Sequence, residues 1–190
     1  MAKVKLNPIV EQVRGQVGQL VFRQSYGQTV VGRKPETSGH ESTPGQIEAR
    51  DRFRQAAVYG RMALANPTTK KLYEDAANKK GKPVFSMVMA DFLNAPSINE
   101  VDVSEYTGAQ GSSIFIRTED DFMIEKVTVS IADVNGAQLE AGEAVLEANG
   151  SGRWVYAATG TIPTGTDVRI SVTAKDRPGS AVVLDTDKTL

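Results

Sequence analysis

The 190-residue sequence predicts an α+β protein built from three segments. Short β-like runs with turn residues between them occupy residues 1–36, and apolar residues at helical spacing occupy residues 37–98. Seven or eight further β-like runs, punctuated by turns, occupy residues 99–190. We therefore predict an N-terminal β-hairpin arm, a small three-helix unit and a C-terminal antiparallel β-sandwich.

The arm is predicted from the stretch "GQLVFRQSYGQTVVGRKP", in which two β-like runs flank a turn at Gly27. Both runs carry apolar residues at neighbouring positions, so a two-stranded ribbon would have apolar residues on both faces. Because isolated two-stranded ribbons are marginal in water, we expect this ribbon to lie on another surface. The predicted interface residues are Leu20, Val21, Phe22, Arg23, Val30, Val31 and Arg33.

Three surfaces are open to the ribbon at this stage: the helices of its own chain, the edge of its own sandwich, or a neighbouring copy. Binding to a neighbouring copy would be β-augmentation, in which backbone hydrogen bonds provide affinity and alternate side chains provide register.

The first helix is predicted from Thr43 as N-cap, Pro44 at the first helical position and Gln46 three residues after the cap. This helix is expected to bury one apolar face made of Ala49, Phe53, Ala56, Ala57, Gly60, Ala63 and Leu64.

Two shorter helices follow the first. Asn66 and Pro67 open the second, which ends at Gly81, and the apolar third begins near Pro83 and stops before Pro96. Short connections between three short helices predict a compact helical unit.

The sandwich is predicted from strict alternation between apolar and polar residues. Val127, Val129 and Ile131 alternate with small hydroxyl residues, which gives one buried and one solvated face. Asn135-Gly136 is a strong hairpin signal, and "NGSG" at residues 149–152 predicts another turn.

The segment from Val101 to Leu190 contains "KVTVSIADVNGAQL", "GRWVYAAT" and "GTDVRISVTAKDRPGS". It resembles the immunoglobulin-like sandwich domains that bacterial surface proteins and phage virion proteins carry as adhesive or decorative modules. The resemblance implies an Ig-like β-sandwich with a binding or structural role, and it identifies no ligand. The absence of cysteine and the late position of Trp154 distinguish the segment from antibody domains.

Two further likenesses concern the first half of the chain. A "GxVGxLVFR" pattern resembles the start of uncharacterised bacterial proteins and implies no activity; it is formed by Gly15, Val17, Gly18, Leu20, Val21, Phe22 and Arg23. The stretch "ANPTTKKLYEDAANKKGKP" is similar to three-helix DNA-bending boxes of the HMG kind. It lacks their aromatic-rich opening helix and their long basic tail.

Charge is divided unevenly along the chain. Residues 1–98 carry 15 Lys+Arg and 8 Asp+Glu, a balance of +7, whereas residues 99–190 carry 7 and 15, a balance of −8. This asymmetry favours either an anionic partner for the first half or head-to-tail contact between copies. Two solvated surfaces of opposite sign remain an alternative.

The sequence offers little catalytic chemistry. It contains no cysteine, and its single histidine, His40, lies among turn-forming residues in a predicted solvated loop. The carboxylates of Glu119 to Asp121 are expected to be solvated in a turn, with a weak calcium site as the alternative. We predict no enzymatic activity, no cofactor and no metal site.

Nucleic acid is the alternative partner, bound by basic residues of the helical unit. The candidate residues are Arg50, Arg54, Arg61, Lys70, Lys71, Lys79 and Lys80. Acidic residues interleave with them at salt-bridging spacing, so a mixed solvated helix surface explains most of these charges.

These observations together predict a structural subunit that self-associates head to tail, such as a filament or phage-type virion component. A nucleic-acid-binding protein and an Ig-like adhesive module are the alternatives. The longest apolar runs are too short to span a membrane, and the N-terminus lacks the apolar core of a secretory signal. We therefore expect cytoplasmic synthesis, with a final place in a virion or an extracellular assembly left open.

Overall fold

The computed structural model describes residues 2–4, 13–25, 28–34, 41–148 and 151–190. The chain divides into two compact units, residues 1–44 and residues 45–190. The predicted helical and sandwich segments therefore share one unit, and the arm belongs to the other. The α+β fold class is confirmed.

Three predicted loop features lie outside the described residues. They are the turn residue Gly27, the histidine His40 and the first half of the "NGSG" turn, residues 149–150.

The N-terminal unit contains the strands β1 (Ala2–Val4), β2 (Gly15–Val17), β3 (Leu20–Ser25) and β4 (Gln28–Arg33). They form one antiparallel sheet in the order β1-β4-β3-β2. The predicted hairpin is confirmed as β3 and β4, and β1 and β2, which the sequence analysis did not predict, extend it to a four-stranded sheet. Gly18, at φ 60°, takes the left-handed conformation that lets the chain reverse between β2 and β3.

Three helices follow, α1 (Pro44–Ala65), α2 (Pro67–Lys80) and α3 (Val84–Leu93). The predicted boundaries of α2 are confirmed. The Asn66 side chain accepts hydrogen bonds from the backbone N–H groups of Thr68 and Thr69, at 3.0 and 3.2 Å. Gly81 closes the helix in the left-handed conformation.

The buried face of α1 is shorter than predicted. Its buried residues are Ala56, Gly60 and Ala63, whereas Phe53 is 59% exposed. The prediction for Phe53 is wrong because α3 ends at Leu93, whose carbonyl accepts a 3.0 Å hydrogen bond from Arg52. The first turns of α1 extend beyond that point and hold no buried residue.

Eight strands form the sandwich: β5 (Ser97–Asp102), β6 (Ser113–Glu119), β7 (Ile124–Asp133), β8 (Gln138–Glu143), β9 (Val145–Leu146), β10 (Arg153–Ala157), β11 (Asp167–Asp176) and β12 (Ala181–Thr189). They make two antiparallel sheets, in the orders β5-β6-β10-β9 and β12-β11-β7-β8.

The predicted alternation builds the core of the sandwich. Val129 and Ile131 of β7 are fully buried, as is Ile170 of the neighbouring β11. Ile114 and Ile116 of β6 belong to the same apolar cluster from the other sheet. Burial of these side chains is the main stabilising contribution to this part of the molecule.

The Asn135-Gly136 hairpin is present, but its loop spans residues 134–137 rather than two residues. The Asp133 carboxylate accepts hydrogen bonds from the backbone N–H groups of Asn135 and Ala137, both at 2.8 Å. This side-chain turn lengthens the loop and leaves Gly136 at φ 84°.

Candidate interaction surfaces

The register of the N-terminal sheet sorts the predicted interface residues onto two faces. Directly opposed residues of an antiparallel pair share a face, and Val17 is opposed to Leu20, which is opposed to Arg33. Phe22, opposed to Val31, lies two residues along β3 and shares this face. We call it the leucine face; its residues are Val17, Leu20, Phe22, Val31 and Arg33, with Gln24 and Thr29 at its far end.

The other predicted interface residues lie on the opposite face of the sheet. Arg23 is opposed to Val30 and lies two residues from Val21 along β3. The proposed interface residues therefore do not form one surface, and an occupant of one face would contact only part of the set.

Little of the N-terminal sheet is buried. Among its described side chains only Thr29 is buried, and its hydroxyl accepts a 2.7 Å hydrogen bond from Gln24. Val17 is 68% exposed and Leu20 is 47% exposed. A sheet of this kind buries too little apolar surface to supply a core for itself.

The segment that carries β2, β3 and β4 is uniformly positive. Residues 13–34 contain Arg14, Arg23, Arg33 and Lys34 and no acidic residue. A surface that combines exposed apolar residues with one sign of charge is suited to an acidic, partly apolar partner.

The basic residues of α1 form an exposed stripe. Arg50, Arg54 and Arg61 are separated by four and seven residues, which places them on one side of the helix. Arg54 also makes an ion pair with Asp51 at 3.0 Å. The stripe is therefore partly neutralised by its own helix.

The lysines of α2 do not form a comparable stripe. Lys70, Lys71, Lys79 and Lys80 lie roughly 90° apart around the helix axis, given about 100° per residue. Lys70 pairs with Glu74 at 3.6 Å, and the Lys80 ammonium donates to the backbone carbonyl of Asp121. The four lysines among the seven predicted nucleic-acid-binding residues therefore do not share one face of α2.

A buried polar cluster joins the helices to the sandwich. The Tyr73 hydroxyl donates to the Asp91 carboxylate, and the hydroxyls of Tyr59 and Tyr73 are 3.1 Å apart. Phe122, between β6 and β7, stacks on the Tyr73 ring with a centroid distance of 4.1 Å. These contacts explain why the helices and the sandwich make one compact unit.

Three neighbouring carboxylates, those of Asp91, Asp120 and Asp176, repel one another in this cluster. Burial raises the pKa of Asp91 to about 7; the hydrogen bond from Tyr73 opposes the rise, and the charges of Asp120 and Asp176 add to it. Burial also raises the pKa of Asp176. Arg177 is the cation that counteracts this repulsion at Asp91.

The turn prediction for Glu119 to Asp121 needs correction. Both carboxylate oxygens of Asp120 are buried without a hydrogen-bond partner among the described residues, so this group is not solvated. Asp121 is tied to the helices, because the Asn94 side chain donates to its carboxylate. In the described part of the chain, no group of three or more acidic or histidine side chains is arranged to hold a metal ion.

One feature of the sequence could have predicted this cluster, namely an acidic residue inside an otherwise apolar helix. Asp91 lies in "VFSMVMADFL", a helix whose apolar residues surround its whole circumference. A carboxylate in such a helix is buried and needs a partner, here Tyr73, 18 residues earlier in the chain.

A separate buried carboxylate, Glu140, connects the edge strand β8 to the other sheet. Glu140 accepts hydrogen bonds from the Tyr156 hydroxyl at 2.7 Å, the Thr159 hydroxyl at 2.9 Å and the Gly160 backbone at 3.2 Å. Although burial raises the pKa of Glu140, these bonds hold it below its usual value. The arrangement is structural, since the donors are Tyr156 of β10 and two residues of the segment that follows β10.

An open groove of about 610 Å³ lies at one end of the sandwich, beside Asp133, Asp167 and Arg169. The polar groups that line it are already paired. Arg169 binds Asp187 at 2.9 Å, and the Thr189 hydroxyl donates to Asp167 at 2.6 Å. The groove therefore offers no convergent reactive groups.

None of the helices in the described residues is long and apolar enough to cross a membrane.

Comparison with known proteins assigns the chain to no family. No protein-family model matches it, and no curated protein matches it. CopC from Methylosinus trichosporium OB3b is similar over 50% of this chain and 91% of its own, at 16% identity and a TM-score of 0.37. BhCBM56 is similar over 50% of this chain and 89% of its own, at 18% identity and a TM-score of 0.32.

A tetra-tandem repeat in the extending region of a large adhesion protein is also similar, over 50% of this chain and 23% of that chain, at 20% identity and a TM-score of 0.35. The immunoglobulin-like assignment stays a prediction.

Proposed function

We propose that this chain is a non-enzymatic structural subunit that self-associates head to tail, as a filament component or a phage-type virion component. The observation that carries the proposal is the N-terminal sheet, where Thr29 alone is buried among the described side chains. A sheet needs a second layer to exclude water from one apolar face. In the proposal, a neighbouring copy supplies that layer to the leucine face.

Charge supports a head-to-tail arrangement over a symmetric one. The first 98 residues carry a balance of +7 and the remaining residues a balance of −8. A symmetric contact would bring like charges together, whereas a heterologous contact brings opposite charges together and can propagate. The resemblance of the sandwich to Ig-like modules of surface and virion proteins fits a repeated decorative unit.

Light scattering on the purified full-length chain tests the proposal, over a series of protein and salt concentrations. We expect a mass that rises with protein concentration and falls with salt, and regular particles in electron micrographs of the same sample. The variant Val17→Thr/Leu20→Thr, which makes two positions of the leucine face polar, should shift association to at least about tenfold higher concentration.

A matched control is available in the sandwich. Val134 and Leu139 are 74% and 44% exposed, close to the values for Val17 and Leu20. The variant Val134→Thr/Leu139→Thr should associate like the unmodified chain. A monomer at every concentration and salt condition would contradict the proposal, as would equal effects of the two double variants.

A second candidate function is nucleic-acid binding, favoured by the exposed stripe of Arg50, Arg54 and Arg61 on α1. Three aligned guanidinium groups are suited to contact successive phosphates of a backbone. The scattered lysines of α2 would add general attraction without sequence preference.

Retention on double-stranded DNA and on RNA, measured across a salt series, tests this candidate. Arg50→Gln/Arg54→Gln/Arg61→Gln should weaken binding and lower the salt slope by about 3. Lys70→Gln/Lys71→Gln serves as a comparison and should have the smaller effect. Unchanged retention in the triple arginine variant would eliminate this candidate.

A further inference from the structure

The sandwich has four edge strands, and three of them are short or irregular. β9 has two residues, and the pairings of β5 with β6 and of β8 with β7 each contain a register shift. β12 differs, because it pairs with β11 over nine consecutive positions without a shift. Short strands and bulges protect sheet edges from pairing with other chains, so β12 is the edge that lacks this protection.

The side chains of β12 indicate what kind of strand could pair there. Val183 is 57% exposed, and Leu184, Asp185 and Asp187 are exposed beside it. Lys188 does not guard the edge, because its ammonium donates to the carbonyls of Val103 and Tyr106. Asp187 is paired with Arg169 of the neighbouring strand β11, so Asp185 is the acidic side chain of β12 that would face a partner strand. An acidic residue beside exposed apolar residues disfavours a second β12 and favours a basic, partly apolar strand.

The N-terminal sheet has an edge that matches this description. β2 pairs with β3 on one side over three positions, and all three of its residues are exposed. Val17 is the apolar residue of that edge, and Arg14 immediately precedes the strand. Among the described residues, the backbone groups on the outer sides of β2 and β12 have no partner strand, as β-augmentation requires.

We propose that β12 is the acceptor edge for a second copy of this chain, and that β2 of that copy is the strand that pairs with it. The inference rests on the proposed self-association and adds an edge-to-edge contact between copies to the proposed cover of the leucine face. Pairing would join the β12-β11-β7-β8 sheet of one copy to the β2-β3-β4-β1 sheet of the next. Because donor and acceptor are different edges, the contact is heterologous and repeats along a ring or filament.

Cysteine cross-linking between copies tests the pairing directly, since the sequence contains no cysteine of its own. Full-length chain labelled with ¹⁵N and carrying Val17→Cys is mixed with unlabelled chain carrying Val183→Cys. A short bismaleimide is added, whose reach covers a shift of a residue or two in register. The matched control replaces Val183→Cys with Leu139→Cys on β8, the opposite edge of the same sheet.

We expect linked peptides that join the labelled Val17→Cys chain to the unlabelled Val183→Cys chain. Their yield should be about fivefold or more above that of the Leu139→Cys control. Light scattering on the same mixtures measures association. Asp185→Lys should weaken association about tenfold without changing thermal unfolding. Association with equal links to both edges, or with none to β12, would overturn the β12 assignment and leave self-association intact.

Two other outcomes would contradict the pairing in different ways. A double variant Val17→Cys/Val183→Cys that links only within one chain, with no link in the mixed sample, would place the sheet on its own sandwich. Absence of association in every sample would remove the proposed function together with this inference.

Discussion

The sandwich and the N-terminal sheet are built from the same kind of antiparallel strand, but they differ in what covers them. Strands β7 and β11 of the sandwich carry fully buried residues such as Val129 and Ile170, packed against the facing sheet. The N-terminal sheet has comparable apolar residues, yet Val17 and Leu20 are exposed. Alternation therefore predicts a strand with two unlike faces, and a second layer decides whether the apolar face is buried.

The two regions also differ in whether their charged side chains are buried or exposed. The unit that contains the sandwich buries Asp91 and Asp176 at its junction with the helices. In the N-terminal unit, the described charged side chains from Arg14 to Lys34 are all exposed. The stability of the larger unit should therefore depend on pH and on core substitutions. The stability of the N-terminal sheet should depend mainly on the proposed contact with a neighbouring copy.

The largest expected effect concerns Asp91. Its pKa is about 7 in the folded protein and its ordinary value is 3.8, so the folded state binds more protons between these values. Protonated Asp91 therefore destabilises the folded state least, below about pH 4. The free energy of unfolding then falls as pH rises, and the full cost of burying the ionised carboxylate is reached above pH 7. Asp91→Asn should remove that cost and be more stable than the unmodified chain at pH 8, by up to about 4 kcal/mol.

Urea unfolding of both proteins between pH 4.5 and pH 8 measures this effect. Taking the difference cancels groups whose titration both proteins share. The groups that face Asp91 are Tyr59, Tyr73, Asp120, Asp176 and Arg177, and all are retained in the variant. A stability difference that does not grow with pH would contradict the account of the junction.

Core truncation should distinguish the two sheets next. Ile170→Ala, at a fully buried position of β11, should lower the free energy of unfolding by about 3 kcal/mol. Val31→Ala, on the leucine face, should lower the stability of the larger unit by less than about 0.5 kcal/mol. Denaturant titration followed by Trp154 fluorescence measures the unfolding of the sandwich. A comparable loss of unfolding free energy in both variants would show that the N-terminal sheet belongs to the same cooperative unit.

A smaller effect is expected at glycines with positive φ. Gly108 has φ 79°, and a Cβ there would lie 2.8 Å from the carbonyl oxygen of Ile162. Gly108→Ala should therefore cost about 2 kcal/mol, from backbone strain and steric overlap together. Gly111, at φ 84° with nothing within 4 Å of such a Cβ, is the matched control and should cost about 1 kcal/mol. An equal fall in melting temperature for both variants would mean that the overlap with Ile162 adds nothing to the backbone strain of the positive φ.

Local patterns predicted most of the larger unit. The strands from β6 to β12 and the three helices follow from alternation, capping residues and turn signals that act over a few positions. The strands β1 and β2 were missed, because each has three residues and Gly15 interrupts any alternation. Runs this short are ordered by the partner strand rather than by their own sequence.

The junction could not be predicted for a different reason. Tyr59, Tyr73 and Asp91 come from three helices, whereas Asp120 follows β6 and Asp176 ends β11. Spacing along the chain carries no information on which of these groups meet. Phe53 was misplaced for a related reason, because helical periodicity identifies a face without showing how far along the helix its neighbours extend.

Hydrogen–deuterium exchange of the full-length chain, at a low and a high protein concentration, tests the central claim most directly. We predict that amide protection of residues 13–34 rises with concentration and falls in Val17→Thr/Leu20→Thr, because in the proposed assembly a neighbouring copy covers the N-terminal sheet. Protection of β7 and β11 should be the same at both concentrations. Strong, concentration-independent protection of residues 13–34 in a monomeric sample would contradict the claim.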